Sequence, residues 1–137
     1  MNEEIFKNWL KKPTDCLIMG IVNTTPDSFS DGGKFNTPIK AIDFAYDLLD
    51  QGADIIDIGG ESSRPGADPV LVAEEIKRIA PLLNELVKNT DCLISVDTYK
   101  SSTAAYALDN GAHLINDISG LSHDNDMVNV ISSYDAP

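Results

Sequence analysis

The chain has 137 residues, 42% of them apolar, and a formal charge of −12 from ten Lys and Arg against 22 Asp and Glu. That length suffices for one domain with a real core. The charge argues against nucleic acid as a partner, because a polyanion needs a basic footprint, and no apolar run approaches the roughly 18 residues of a membrane span.

The N-terminus, Met1-Asn2-Glu3-Glu4, lacks the basic-then-apolar order of a secretory signal. Cys16 and Cys92 fall inside expected strands without CxxC spacing and read as two reduced core thiols, so a cytoplasmic protein is expected. Between Glu3 and Lys11, residues Ile5, Phe6, Trp9 and Leu10 share roughly one face of a short lead-in helix, ended by Pro13 and Thr14.

Four short apolar runs follow, and each closes on Asn or Asp. Cys16 to Val22 ends at Asn23, Asp54 to Ile56 at Asp57, Cys92 to Val96 at Asp97, and His113 to Ile115 at Asn116. Such runs, bounded by turn residues, read as buried parallel strands. Polar residues at their carboxyl ends stand where a parallel α/β sheet places its ligands.

Helical patterns alternate with these strands. Thr37-Pro38 opens a helix running from Ile39 to Gln51, with Ile42, Ala45, Tyr46 and Leu49 at helical spacing, and Gly52 closes it as a left-handed cap. Asp68-Pro69 opens a longer one whose stripe is Val72, Ile76, Ile79, Leu82, Leu83 and Leu86; Pro81 is expected to kink or divide it. Thr98 can cap a helix from Tyr99 to Asn110, and a final helix spans about Asp124 to Ser133.

Residues 51–57, Gln-Gly-Ala-Asp-Ile-Ile-Asp, echo residues 110–116, Asn-Gly-Ala-His-Leu-Ile-Asn, position by position. That is a repeated βα unit, and βαβα order implies a parallel sheet with right-handed crossovers. Four such units make half of a (β/α)8 TIM barrel, which needs about 250 residues. The expectation is a helical lead-in over 1–15 and the N-terminal half of a barrel over 16–137, in a piece of a longer protein. A complete, doubly wound open sheet is the competing architecture.

Loop 59–67 sets Gly59-Gly60, Ser62 and Ser63 beside Arg64, a pattern that can hold a phosphate and can equally be an ordinary βα turn. Asp97 and Asn116 can present acceptors to the paired N–H groups of a guanidine-like heterocycle edge; Asp97 can instead cap the next helix. By strand alternation Asp117 faces away from Asn116. Asn23 can give a neutral oxygen to Mg²⁺ or simply form a turn. Loop 23–36 exceeds the usual length of a βα connection, which suggests a lid, with Phe29 either on a flat ligand or in the loop's own cluster. His113 and His123 have no partner at catalytic spacing and read as structural.

Two segments taken whole go further. Residues 19–33, Met-Gly-Ile-Val-Asn-Thr-Thr-Pro-Asp-Ser-Phe-Ser-Asp-Gly-Gly, and residues 57–66, Asp-Ile-Gly-Gly-Glu-Ser-Ser-Arg-Pro-Gly, resemble the two signature segments of bacterial dihydropteroate synthases, and Ser95-Val96-Asp97-Thr98 and Ile115-Asn116-Asp117 match the next two strand ends. Thr24 and Ser63 stand where Val and Thr are commoner in that family.

The resemblance implies a folate-pathway transferase on a (β/α)8 barrel. It would join p-aminobenzoate to 6-hydroxymethyl-7,8-dihydropterin diphosphate and release pyrophosphate, with sulfonamides competing at the p-aminobenzoate site. It implies Asn23 as the contact to Mg²⁺, Ser63 and Arg64 at the diphosphate, and Asp97 and Asn116 at the pterin edge. Pro26, Phe29 and Asp31 would lie on a closing loop that meets the loop bearing Ser63 and Pro65, with Asp97 and Asp31 as the catalytic candidates. A homodimer is implied for the full-length protein, and little synthase activity is expected from residues 1–137 alone. The alternatives are another pterin-binding barrel, such as a methyltetrahydrofolate corrinoid methyltransferase, or a non-catalytic half-barrel assembly module.

Overall fold

The computed structural model describes residues 3–26, 37–62 and 65–137. Strands β1 (Met19–Asn23), β2 (Ile55–Gly59), β3 (Leu93–Asp97) and β4 (Leu114–Asn116) form one parallel sheet in the order β1-β2-β3-β4. They alternate with helices α1 (Glu3–Lys11), α2 (Thr37–Asp50), α3 (Val72–Asn89), α4 (Ser101–Asp109) and α5 (Met127–Tyr134). Among the described residues no helix is long and apolar enough to cross a membrane.

Strand alternation divides the side chains between two faces. On one face, Val22, Ile56, Ile58, Ile94 and Val96 pack against Ala41 and Ala45 of α2, Ile79, Leu82, Leu83 and Leu86 of α3, and Ala107 of α4. Each fully buried Leu or Ile contributes about 1.5–3 kcal/mol, so the four buried apolar side chains of α3 make it the main anchor of this layer. Consecutive strand order, with α2, α3 and α4 all on one face, is the arrangement of four βα units of a (β/α)8 barrel. A doubly wound sheet reverses its strand order and covers both faces.

The opposite face is built in rows. Met19, Ile55 and Leu93 pair across the sheet at its amino-terminal edge. There Phe6 and Trp9 of α1 pack with Leu17, Ile55, Leu93 and Leu114, the two rings stacked at 5.9 Å. Thus α1 plugs the lower end of this face. Higher up, Ile21 of the edge strand is 60% exposed, and Met19 is also exposed, so β1 is buried only through Gly20 and Val22 rather than along its length.

The 51–57 and 110–116 echo is realised as one backbone motif made twice. Gly52 N–H donates to Leu49 O and Ala53 N–H to Leu48 O; Gly111 N–H donates to Leu108 O and Ala112 N–H to Ala107 O. Both glycines have positive φ, 98° and 95°. These paired bonds are the Schellman ending of a helix.

Several boundaries differ from the sequence expectation. Cys16 precedes β1 and is exposed, and Cys92 precedes β3 and is half-buried, so neither thiol lies inside a strand. The long helix starts at Val72, not Asp68, because the Glu61 carboxylate accepts from Val70 N–H at 2.9 Å and holds the preceding segment extended. Pro81 lies within this undivided helix.

Thr98 does not cap α4; its hydroxyl accepts from Lys100 N–H, and the helix starts at Ser101. The cap comes from afar: Asp124 accepts from Ser101 N–H at 2.8 Å and also from Asp126 N–H. That second bond keeps 124–126 in a turn and delays α5 to Met127.

Candidate functional site

The polar strand ends form a row. Asn23 pairs with Gly59, Gly59 with Asp97, and Asp97 with Asn116. All four therefore lie at one height, on the face away from α2, α3 and α4. Gly59 puts no side chain at the centre of this row, where a Cβ would crowd Asn23 Oδ1 at 3.1 Å and lie 3.7 Å from Asp97 Oδ2. Gly60 has a different reason to lack a side chain. A Cβ there would meet Ile79 Cγ2 at 2.9 Å and the Glu75 carbonyl at 3.0 Å, so the chain passes hard against α3.

One row lower, Asp57 pairs with Ser95, and both are buried. Asn116 Nδ2 donates to Asp57 Oδ2 at 3.0 Å, reaching from β4 to β2 past the small Ser95 of β3. Asp57 Oδ1 and Ser95 Oγ have no hydrogen-bond partner.

Asp97 is half-buried, and its carboxyl is pushed up to about 6, first by burial and then by the negative charges of Asp57, Glu75, Asp117 and Glu61. It stays charged at neutral pH but readily accepts a partner that brings donors or positive charge. It is not a helix cap, since the α4 N-terminus is served by Asp124. Asp117 accepts from Ser119 N–H and Leu121 N–H, which makes it a turn former directly after β4.

A buried ionic cluster ties the post-β2 segment to α3 and α4. Lys100 binds Glu61 and, at 2.9 Å, Glu75; Thr103 Oγ1 donates to Glu75 at 2.9 Å, and the Tyr99 hydroxyl donates to Glu61. Burial raises Glu61, but bonds from Lys100, Tyr99 and the Val70 N–H outweigh it and hold the carboxyl below its usual range. Lys100 is raised: burial opposes its charge, and the two carboxylates more than compensate.

This cluster was missed by sequence reasoning. Its signal was Glu75, an acid one position before Ile76 on the apolar stripe of α3 and only 1% exposed in the fold. His113 is structural, accepting Ile94 N–H at its Nδ1. His123 packs edge-on against Tyr99.

A cleft of about 860 Å³ opens between the end of β1 and the segment after β2, lined by Asn23, Thr25, Pro26, Ser62, Pro65 and Arg78 among others. It brings together Asn23, Pro26 and Pro65, three of the sequence-derived candidates. Asp97 and Asn116 stand apart from it, along the strand-end row. Phe29, Asp31, Ser63 and Arg64 lie outside the described residues.

Asn23 suits a cation that keeps most of its water. No group of three or more His, Cys, Asp or Glu able to cage a metal occurs among the described residues. The Asn23 amide oxygen lies beside Gly59, 3.1 Å from where a Cβ would stand. Mg²⁺ is commonly bound by one or two protein oxygens plus substrate phosphates, so this donor set fits it.

Comparison with known proteins agrees with this architecture. A family model described as pterin binding enzyme matches residues 19–137. A dihydropteroate synthase of Clostridium beijerinckii is 50% identical over 120 residues, covering 88% of this chain and 45% of the relative. The crystal structure of a Clostridium difficile dihydropteroate synthase in the presence of pteroic acid superposes with a TM-score of 0.83 at 52% identity, over 88% of this chain and 46% of that one. The Xanthomonas albilineans dihydropteroate synthase with 4-aminobenzoic acid gives 0.83 at 43% identity, over 88% and 44%. The chain thus spans less than half the length of the relatives it matches. With the family model matched over residues 19–137, the chain belongs to the pterin binding enzyme family.

Proposed function

We propose that this chain supplies the pterin-edge and metal side of a dihydropteroate synthase site, in which p-aminobenzoate displaces diphosphate from 6-hydroxymethyl-7,8-dihydropterin diphosphate. The observation that carries this reading is the row Asn23, Gly59, Asp97, Asn116 at one height of one sheet face, with no side chain at Gly59. Two adjacent acceptors there, Asp97 and Asn116, suit the paired N–H groups of a pterin.

The reaction breaks the bond between the pterin methylene carbon and the diphosphate oxygen, and the electron pair leaves with pyrophosphate. The p-aminobenzoate nitrogen forms the new C–N bond and loses a proton. Positive charge develops on the methylene and spreads into the pterin, so a fixed carboxylate at the ring edge lowers the barrier. Asp97 takes that role. Asn23 would hold Mg²⁺, whose chemistry when bound is to neutralise charge on the diphosphate. Ser63 and Arg64 would bind the leaving phosphates, and Pro26, Phe29, Asp31 and Pro65 would close over the second substrate. A homodimer is part of the same reading for the whole protein.

Calorimetric titration with 6-hydroxymethyl-7,8-dihydropterin diphosphate and Mg²⁺ tests it. Binding by the wild-type protein and its loss in Asp97→Ala are expected. Equal binding by both, or none by the wild type, would contradict it.

A further inference from the structure

Asp57 is 2% exposed, and one of its oxygens is bonded to Asn116 while the other has no partner. A buried carboxylate so poorly compensated is a costly way to fill a core position. Asn116 Nδ2 donates to Asp57 Oδ2 at 3.0 Å, so the NH2 side of the amide is the one turned to the carboxyl group. The planar amide then carries its oxygen on the other side.

We propose that Asp57 is a positioning residue that locks the Asn116 amide with its oxygen, not its NH2, toward the ligand. This deepens the functional reading above and rests on it.

The consequence is a recognition rule. Asn116 and Asp97 are register partners on adjacent strands, whose backbones run about 4.8 Å apart. With the amide locked they form an acceptor–acceptor pair, which selects a ligand edge carrying two N–H donors. A flipped amide would set a donor beside Asp97 and select an edge carrying one donor and one acceptor. The lock reaches across β3 because Ser95, the residue between, is small. Specificity thus depends on a residue that the ligand does not touch.

Asp57→Leu keeps the approximate shape and removes the acceptor, so the amide is free to turn. Its affinity for the pterin diphosphate should fall about tenfold, the worth of one oriented hydrogen bond, while its melting temperature stays at or above the wild-type value. The reciprocal exchange, Asp57→Asn with Asn116→Asp, restores both the bond and the outward acceptor. It should bind within about threefold of wild type, whereas Asn116→Asp alone, with two carboxylates in contact, should bind poorly.

Wild-type affinity in Asp57→Leu, or no recovery in the exchanged pair, would overturn the proposal. The contact is also read without ligand. The side-chain NH2 signals of Asn116 in a ¹⁵N spectrum should move in Asp57→Leu, and unchanged signals would overturn it too. A wild-type protein that fails to bind the pterin diphosphate, with the NH2 signals moving as described, would instead count against the functional reading and leave the contact standing.

Discussion

Gly52 and Gly111 end α2 and α4 with the same hydrogen bonds and nearly the same φ, yet they face different surroundings. A Cβ on Gly52 would meet nothing within 4 Å, whereas one on Gly111 would lie 3.0 Å from Val87 Cγ2 on α3. Gly52→Ala should therefore cost only the backbone penalty of a positive φ, about 1–2 kcal/mol. Gly111→Ala should cost more, because Val87 must also give way. Urea denaturation of the two variants measures the difference, and equal losses would show that the contact with Val87 is slack.

Lys100 is the only described cation bonded to both Glu61 and Glu75. Lys100→Met should destabilise the fold by about 3–5 kcal/mol, since it leaves buried carboxylates without their counter-charge. The double variant Lys100→Met with Glu75→Gln should recover part of that loss in the same denaturation measurement.

The two neighbouring glycines after β2 should separate function from stability. Gly59→Ala places a methyl between Asn23 and Asp97, so ligand affinity should fall at least tenfold with the melting temperature nearly unchanged. Gly60→Ala drives a methyl into the backbone of α3, and a loss of about 1–3 kcal/mol in stability is expected. Melting curves paired with calorimetry on both variants check this pair.

The raised carboxyl of Asp97 fixes two pH dependences. Its value of about 6 in the fold lies above the unfolded value near 3.9, so between these limits the native state holds more proton than the unfolded one. The Asp97 contribution is therefore neutral below about pH 4, turns unfavourable as pH rises to about 6, and stays unfavourable above it. Asp97→Asn should stabilise the fold at pH 7.5 by about 1 kcal/mol, after allowing for solvent at this half-exposed group, and leave it unchanged at pH 3.5. Ligand affinity should move the opposite way, rising through pH 6 as the carboxylate ionises.

The sequence exposed what depends on neighbours along the chain. The two helix endings were readable as Gly-Ala repeats, and each strand's polar terminus was readable because short apolar runs stop there. What depends on distant partners was not. The α4 cap is Asp124, 23 residues from Ser101, so the local signal at Thr98 misled. The start of α3 was misplaced because Glu61, nine residues before Val70, keeps that stretch extended. The lock between Asp57 and Asn116 spans 59 residues and could not be seen before the strands were in register. Of the candidate site, the heights of Asn23, Asp97 and Asn116 were legible, and the closeness of the Asn23 amide oxygen to Gly59 was not.

In the proposed function a pterin edge is read by the strand-end row. Addition of 6-hydroxymethyl-7,8-dihydropterin diphosphate to ¹⁵N-labelled protein tests it most directly. Shifts are expected at the backbone amides of Asn23, Gly59 and Asp97 and at the Asn116 side chain, with α1 and the helix ends at Gly52 and Gly111 undisturbed. Shifts centred on α1 or on the amino-terminal ends of the strands, with the row silent, would contradict it.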